Sequence, residues 1–223
     1  MIFPRTGSAA LALFHQKKLR HEQKIMKQIA IVYFSGSGHT QLMAEAVQRG
    51  ASSIDDTSAQ LVPIDGRDIV GGRFQNEAFL DELGKADAII FGSPTYMGNI
   101  TAQFKAFADA TSGIWFIRGW KNKLAAGFTH SGSPSGDKLS TLQYLSLFAA
   151  QHGMLWIGNA EASSQENGLH VNRLGSYVGA MGFTQQPPGT APEVEAGDLL
   201  TAERLGIRVA NLAQCFATEL ATA

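Results

Sequence analysis

Six consecutive residues, Ser35-Gly-Ser-Gly-His-Thr40, combine two glycines, three hydroxyls and an imidazole. This composition suits a phosphate. The glycines permit the backbone angles and close approach that an anion-cradling turn needs, and Ser35, Ser37 and Thr40 can donate further bonds. A helix beginning after such a turn would add free N–H groups and the positive end of its dipole. Other glycine motifs fail on particular residues. Gly38 is followed by His39 rather than the lysine of a Walker loop, and Gln41 stands where a dinucleotide fingerprint needs glycine or alanine. The centre of Gly132-Ser-Pro-Ser-Gly136 is Pro134, which excludes a serine nucleophile elbow. The histidines show no metal-ligand spacing, so no metal site is expected. Asn99-Ile-Thr101 fits the glycosylation pattern only incidentally.

Two more loops share this character, Gly92-Ser-Pro-Thr-Tyr-Met-Gly-Asn-Ile100 and Thr129-His-Ser-Gly-Ser-Pro-Ser-Gly-Asp137. What positions all three is an alternation of apolar runs and helical stripes. Ile29–Phe34, Leu61–Ile64, Ala88–Phe91, Leu124–Phe128 and Met154–Ile157 read as strands buried on both faces. Between and after them run helices carrying Leu42, Met43, Ala46 and Val47; Phe79, Leu80 and Leu83; Phe104, Phe107 and Ala108; Leu139, Leu142 and Leu145; and Leu205, Val209, Leu212, Phe216 and Leu220. The pattern predicts a single α/β domain, a doubly wound five-stranded parallel sheet in a three-layer α/β/α arrangement. Ligands of such sheets bind beyond the strand C-termini, where all three loops lie. The stretch between the fifth strand and the last helix reads as a long polar segment.

The chain has 223 residues, 44% of them hydrophobic and 17% charged, with a net charge of −1. That length favours one domain. The near-neutral charge offers no field for nucleic acid or an anionic membrane and no acidic face for a basic redox partner, so a small-molecule partner fits better. No apolar run is long enough to span a bilayer. The single cysteine, Cys215, excludes an internal disulfide and is expected to be a buried thiol in the last helix, compatible with a reducing cytoplasm. Residues 1–25 read as a leader outside a fold that spans 26–223, with Met26-Lys27 directly before the first strand.

With these pieces in place, the chain resembles the WrbA-type family of flavodoxin-like NAD(P)H:quinone oxidoreductases. The resemblance runs from about Met26 to the last helix. It rests on Ser35–Thr40, Gly92–Asn99, Ser112-Gly-Ile-Trp115, Lys123–Gly127 and His152-Gly-Met154. It implies FMN as cofactor, NADH or NADPH as electron donor, hydride transfer through the flavin to a quinone, and a homo-oligomer, dimer or tetramer. By position it assigns Ser35, Ser37, Gly38, His39 and Thr40 to the FMN phosphate. Pro94, Thr95, Tyr96, Met97 and Gly98, with His130, Ser131 and Gly132, would surround the flavin ring. It also implies that His152 lies at the flavin face as a catalytic group and that Trp115 walls the acceptor pocket. Tyr96 and Met97 stand where similar proteins often carry an arginine and an aromatic, which leaves the choice between NADH and NADPH open. The rival reading is a flavodoxin-type carrier of single electrons. A regulatory interaction module finds no support in these residues.

Overall fold

The computed structural model describes residues 26–187 and 189–216. The expected leader, 1–25, lies outside the described residues. In chain order the elements are β1 (Lys27–Tyr33), α1 (His39–Ser52), β2 (Thr57–Pro63), β3 (Ile69–Val70), β4 (Arg73–Phe74), α2 (Glu77–Lys85), β5 (Ala88–Pro94), α3 (Ala102–Ala110), α4 (Ser112–Phe116), β6 (Leu124–Ser131), α5 (Lys138–Gln151), β7 (Leu155–Trp156), β8 (Ser164–Glu166), β9 (Leu169–Val171), β10 (Ala180–Phe183) and α6 (Ala196–Cys215).

The main sheet runs β10-β6-β5-β1-β2, with β7 also paired to β6, and every pairing in it is parallel. This is the doubly wound order whose winding direction reverses between β1 and β5. Alternate residues of the central strands feed two cores. Ile29, Ile31, Ile90, Ala126 and Phe128 meet α1 and α6 through Met43, Val47, Leu205 and Val209. Ala30, Val32, Ile89, Phe91 and Ala125 meet the other helical layer through Leu83, Phe104, Phe107, Leu142, Leu145 and Phe148. Such two-sided burial is why these strands read as unbroken apolar runs.

The expected fifth strand needs correction. Only Leu155 and Trp156 pair there, opposite Leu124 and Ala125 at the start of β6. The rest of that edge is β10, whose Ala180–Phe183 pair with Phe128–Ser131 at the end of β6. Two short segments thus share one strand position. The stretch read as polar loop contains β10 and, before it, the antiparallel hairpin β8–β9. Arg204 of α6 ties that hairpin down through Glu161, at 2.7 Å, and Glu166. Cys215 is exposed rather than buried. It lies two residues beyond buried Ala213, about 200° around the helix and so on its outer side. No helix among the described residues is long and apolar enough to cross a membrane.

Candidate functional site

The first loop leaves β1 at its C-terminal end and enters α1 at Gly38, which adopts φ +91 as the N-terminal cap. A side chain at Gly38 would combine left-handed strain with a Cβ 2.5 Å from Pro192 Cγ. Ser35 Oγ accepts from the Gly38 and Gln41 N–H groups at 3.1 and 3.2 Å, which shapes the turn. The first turn of α1 carries no acidic residue, so the positive end of its dipole is not cancelled.

His39 projects from that turn. Its Nε2 lies 2.7 Å from Gln186 Oε1, and its Nδ1 lies 3.0 Å from Ser37 Oγ. An amide oxygen can only accept, so Nε2 carries the proton and, in the neutral ring, Nδ1 accepts from the Ser37 hydroxyl. His130, from β6, stacks on His39 with centroids 4.7 Å apart and planes 11° from parallel. Burial, reinforced by His39, Lys138 and Arg173, pushes the His130 imidazole down to about 3, so it is neutral at working pH. Its Nε2 meets Thr184 Oγ1 at 3.2 Å.

The second loop forms a tight hairpin in which Tyr96 and Asn99 exchange backbone bonds of 2.9 and 3.1 Å. Met97 and Gly98, at its tip, both have positive φ, 49 and 78. That pair of angles marks a primed two-residue turn. Met97 is fully exposed. The Tyr96 hydroxyl reaches back over Gly36, where any Cβ would approach it to 2.5 Å. Thr95 anchors this loop to the third: its N–H donates to the His130 carbonyl at 2.9 Å, and its buried hydroxyl bonds Thr129 and Thr141, each at 2.8 Å.

These segments enclose a cleft of about 290 Å³ at the switch in winding direction. Ser37, His39, Thr40, Pro94, Thr95, Tyr96, His130, Ser131 and Gly132 line it. Ser35 and Gly38 shape the first loop without lining the cleft, and Met97 and Gly98 form the hairpin tip beside it. Thr184, Gln185 and Gln186 also line it, and the sequence reading missed them. They follow β10, the strand hidden in the polar stretch, and so belong to a fourth loop on the same sheet edge.

Trp115, expected to wall the acceptor pocket, and His152, expected at the flavin face, are not brought into the cleft of this chain. His152 follows α5, which runs back from the third loop to the opposite edge. There the Gly153 carbonyl accepts from Asn122 N–H at 3.0 Å, just before β6 begins. Eight residues of β6 span roughly 23 Å between the two edges. The His152 ring is 2% exposed, packed 4.5 Å from Trp120 and 5.0 Å from Phe148, with Nε2 2.9 Å from Thr111 Oγ1. Burial, and then Arg118, push it down to about 4. Trp115 lies on α4 beside Phe116 and Ile117, all three exposed. Thr111, which caps α4, joins that helix to His152.

Comparison with known proteins agrees with this architecture. Residues 29–168 match the NADPH-dependent FMN reductase family. Flavodoxin FldP of Pseudomonas aeruginosa is 41% identical over 85% of this chain and 98% of its own length. An NAD(P)H dehydrogenase (quinone) of Geobacter sulfurreducens is 34% identical over 68% of this chain and 81% of its own. The crystal structure of a WrbA-like flavodoxin from Agrobacterium tumefaciens superposes with a TM-score of 0.67 at 41% identity, covering 86% of this chain and 99% of that one. Three-loop geometry, sheet order and these likenesses together identify the chain as a flavodoxin-fold, WrbA-like member of the NADPH-dependent FMN reductase family.

Proposed function

We propose that the cleft holds FMN and that the protein passes two electrons from NADH or NADPH to a quinone. The observation that carries this reading is the convergence of nine expected residues, from three distant chain segments, on one cleft at the winding switch. The residues fit the group. An α-helix N-terminus with no acidic residue in its first turn, an obligatory glycine at the turn and the hydroxyls of Ser37 and Thr40 suit a phosphate. Pro94, Thr95 and Tyr96 on one wall and His130, Ser131 and Gly132 on the other suit a flat ring with polar edges. When bound, FMN supplies two-electron chemistry between a nicotinamide and a quinone.

The chain's own residues bind, orient and shield. His39 offers its Nε2 proton beside the phosphate position by releasing Gln186. His130, held neutral, offers a ring nitrogen without adding a charge that would compete with His39. The Thr95 hydroxyl network keeps the second and third loops at a constant separation, which preorganises the cleft. Thr184–Gln186 limit water over the first loop. The exposed run Trp115-Phe116-Ile117 supports assembly with a second copy of the chain. Because this run lies at the far edge, Trp115 could meet a flavin only in another copy, and His152, closed behind it, is given no catalytic role.

The likeness to a named flavodoxin supports one competing reading, a carrier that passes single electrons between proteins. One experiment separates them. The enzyme reading expects FMN to bind with quenched fluorescence and NADH or NADPH to be oxidised rapidly in the presence of benzoquinone. Binding of FMN with no turnover of either nicotinamide would favour the carrier. No binding of FMN would overturn both.

A further inference from the structure

Beneath the β6 wall of the cleft lies a cluster of buried charge. Lys138, the first residue of α5, is 1% exposed. Its ammonium donates to Ser131 Oγ at 2.9 Å, to the Ser133 carbonyl at 2.8 Å and to the Pro134 carbonyl at 2.9 Å, which uses all three of its protons. Behind it, Arg173 makes a two-pronged pair with Asp198 of α6, at 2.9 and 2.7 Å, and donates to the Phe183 carbonyl at 2.8 Å. Asp198 is 1% exposed and also accepts from the Phe183 N–H at 3.0 Å. Lys138 and Arg173 lie 5.8 and 5.5 Å from the centroid of the Phe183 ring. Glu195 approaches Arg173 at 3.3 Å, but its side chain is 44% exposed and screened by solvent. Two cations therefore face a single deeply buried carboxylate.

A neutral donor could tether the third loop at lower desolvation cost than an ammonium. The charge itself has a reach that a tether does not. Ser131, the partner of Lys138, lines the cleft, and Lys138 and Arg173 both help to keep His130 neutral, after burial and His39. Burial lowers the Lys138 ammonium to about 8, Asp198 opposing the shift and Arg173 adding to it, so it is mostly charged at neutral pH.

We propose that Lys138, backed by Arg173, is a positioning residue that fixes the Ser131–Pro134 wall and biases the cleft electrostatically toward reduced flavin. This rests on the reading of the cleft as an FMN site. Hydride delivery adds two electrons and one proton, so the flavin ring gains one negative charge, and a net positive cluster stabilises that product more than the oxidised ring. Asp198 is the counterweight that limits the bias.

The test uses the full chain. FMN affinity is measured by fluorescence quenching, and the midpoint potential of bound FMN by anaerobic titration, for the wild type, Lys138→Met and Asp198→Asn. Lys138→Met is expected to weaken binding of reduced FMN about tenfold relative to oxidised FMN, a shift of about 30 mV to more negative potential for a two-electron couple. Asp198→Asn is expected to shift the potential in the opposite direction. A merely structural cluster would weaken FMN binding in both variants without opposed shifts, and that result, or unchanged potentials with FMN bound, overturns the proposal. Should Lys138→Met fail to fold, Asp198→Asn decides alone: a positive shift supports the proposal, and no shift or a negative one overturns it. Wild-type protein that leaves FMN fluorescence unchanged would overturn the flavin reading itself, and this inference with it.

Discussion

The two edges of the sheet each hold a buried histidine kept neutral, yet they are built for different ends. At the C-terminal edge, His130 stacks on His39 among hydroxyls, amides and loops with left-handed backbone. At the N-terminal edge, His152 is enclosed by Trp120 and Phe148. Its Nδ1 and the Trp120 Nε1 are buried without a hydrogen-bond partner among the described residues. The first setting leaves polar atoms facing a cleft, while the second closes over them. A histidine in a recognisable motif therefore takes its chemistry from the edge it reaches, not from the motif.

The largest expected effect tests how far the closed edge is ordinary core. Phe148 contacts Phe91, Phe104, Phe107, Trp120 and His152. Phe148→Ala should cost about 3–5 kcal/mol in denaturant unfolding. A loss below about 1 kcal/mol would show this edge to be loosely packed.

Acid should reveal both histidines next. The folded chain holds His130 at about 3 and His152 at about 4, below the ordinary 6.5, so the unfolded chain binds more protons between those values. Stability is then complete above pH 6.5 and falls as the pH drops toward 4. His152 alone would account for on the order of 3 kcal/mol of that fall. His152→Gln should flatten the profile, and an unchanged slope would place the proton uptake elsewhere.

Smaller again is the effect of Gly38→Ala, which should weaken FMN binding tenfold or more, measured by fluorescence quenching, because the new Cβ would force the turn away from Pro192. The least effect at the cleft is expected from Trp115→Ala. Monomeric protein carrying it should bind FMN as the wild type does, and a tenfold loss there would break the division between the edges.

Much of this was readable in the sequence because double-sided burial leaves plain apolar runs, and because glycine and hydroxyls mark loops that approach an anion. The first loop, with His39 and Thr40, was legible for that reason. β10 was not, since Ala180-Met-Gly-Phe183 is four residues long and set among glycine, glutamine and proline. Missing it concealed Thr184–Gln186. That His152 and Trp115 lie away from this chain's cleft was not legible, because a matched motif carries position along the chain but not direction in space. The 14 residues of α5 carry His152 about 21 Å from the third loop. The Lys138 cluster left no local signal, because its members come from α5, the turn after β9, and α6.

The shared strand position has a consequence for how copies of this chain can meet. An uninterrupted outermost strand presents a row of unpaired backbone donors and acceptors, a template for aggregation. Here that border offers two residues of β7 and four of β10, separated by a folded hairpin braced through Arg204. Self-association along it finds no continuous track, in contrast to the opposite border, where β2 runs unbroken for seven residues.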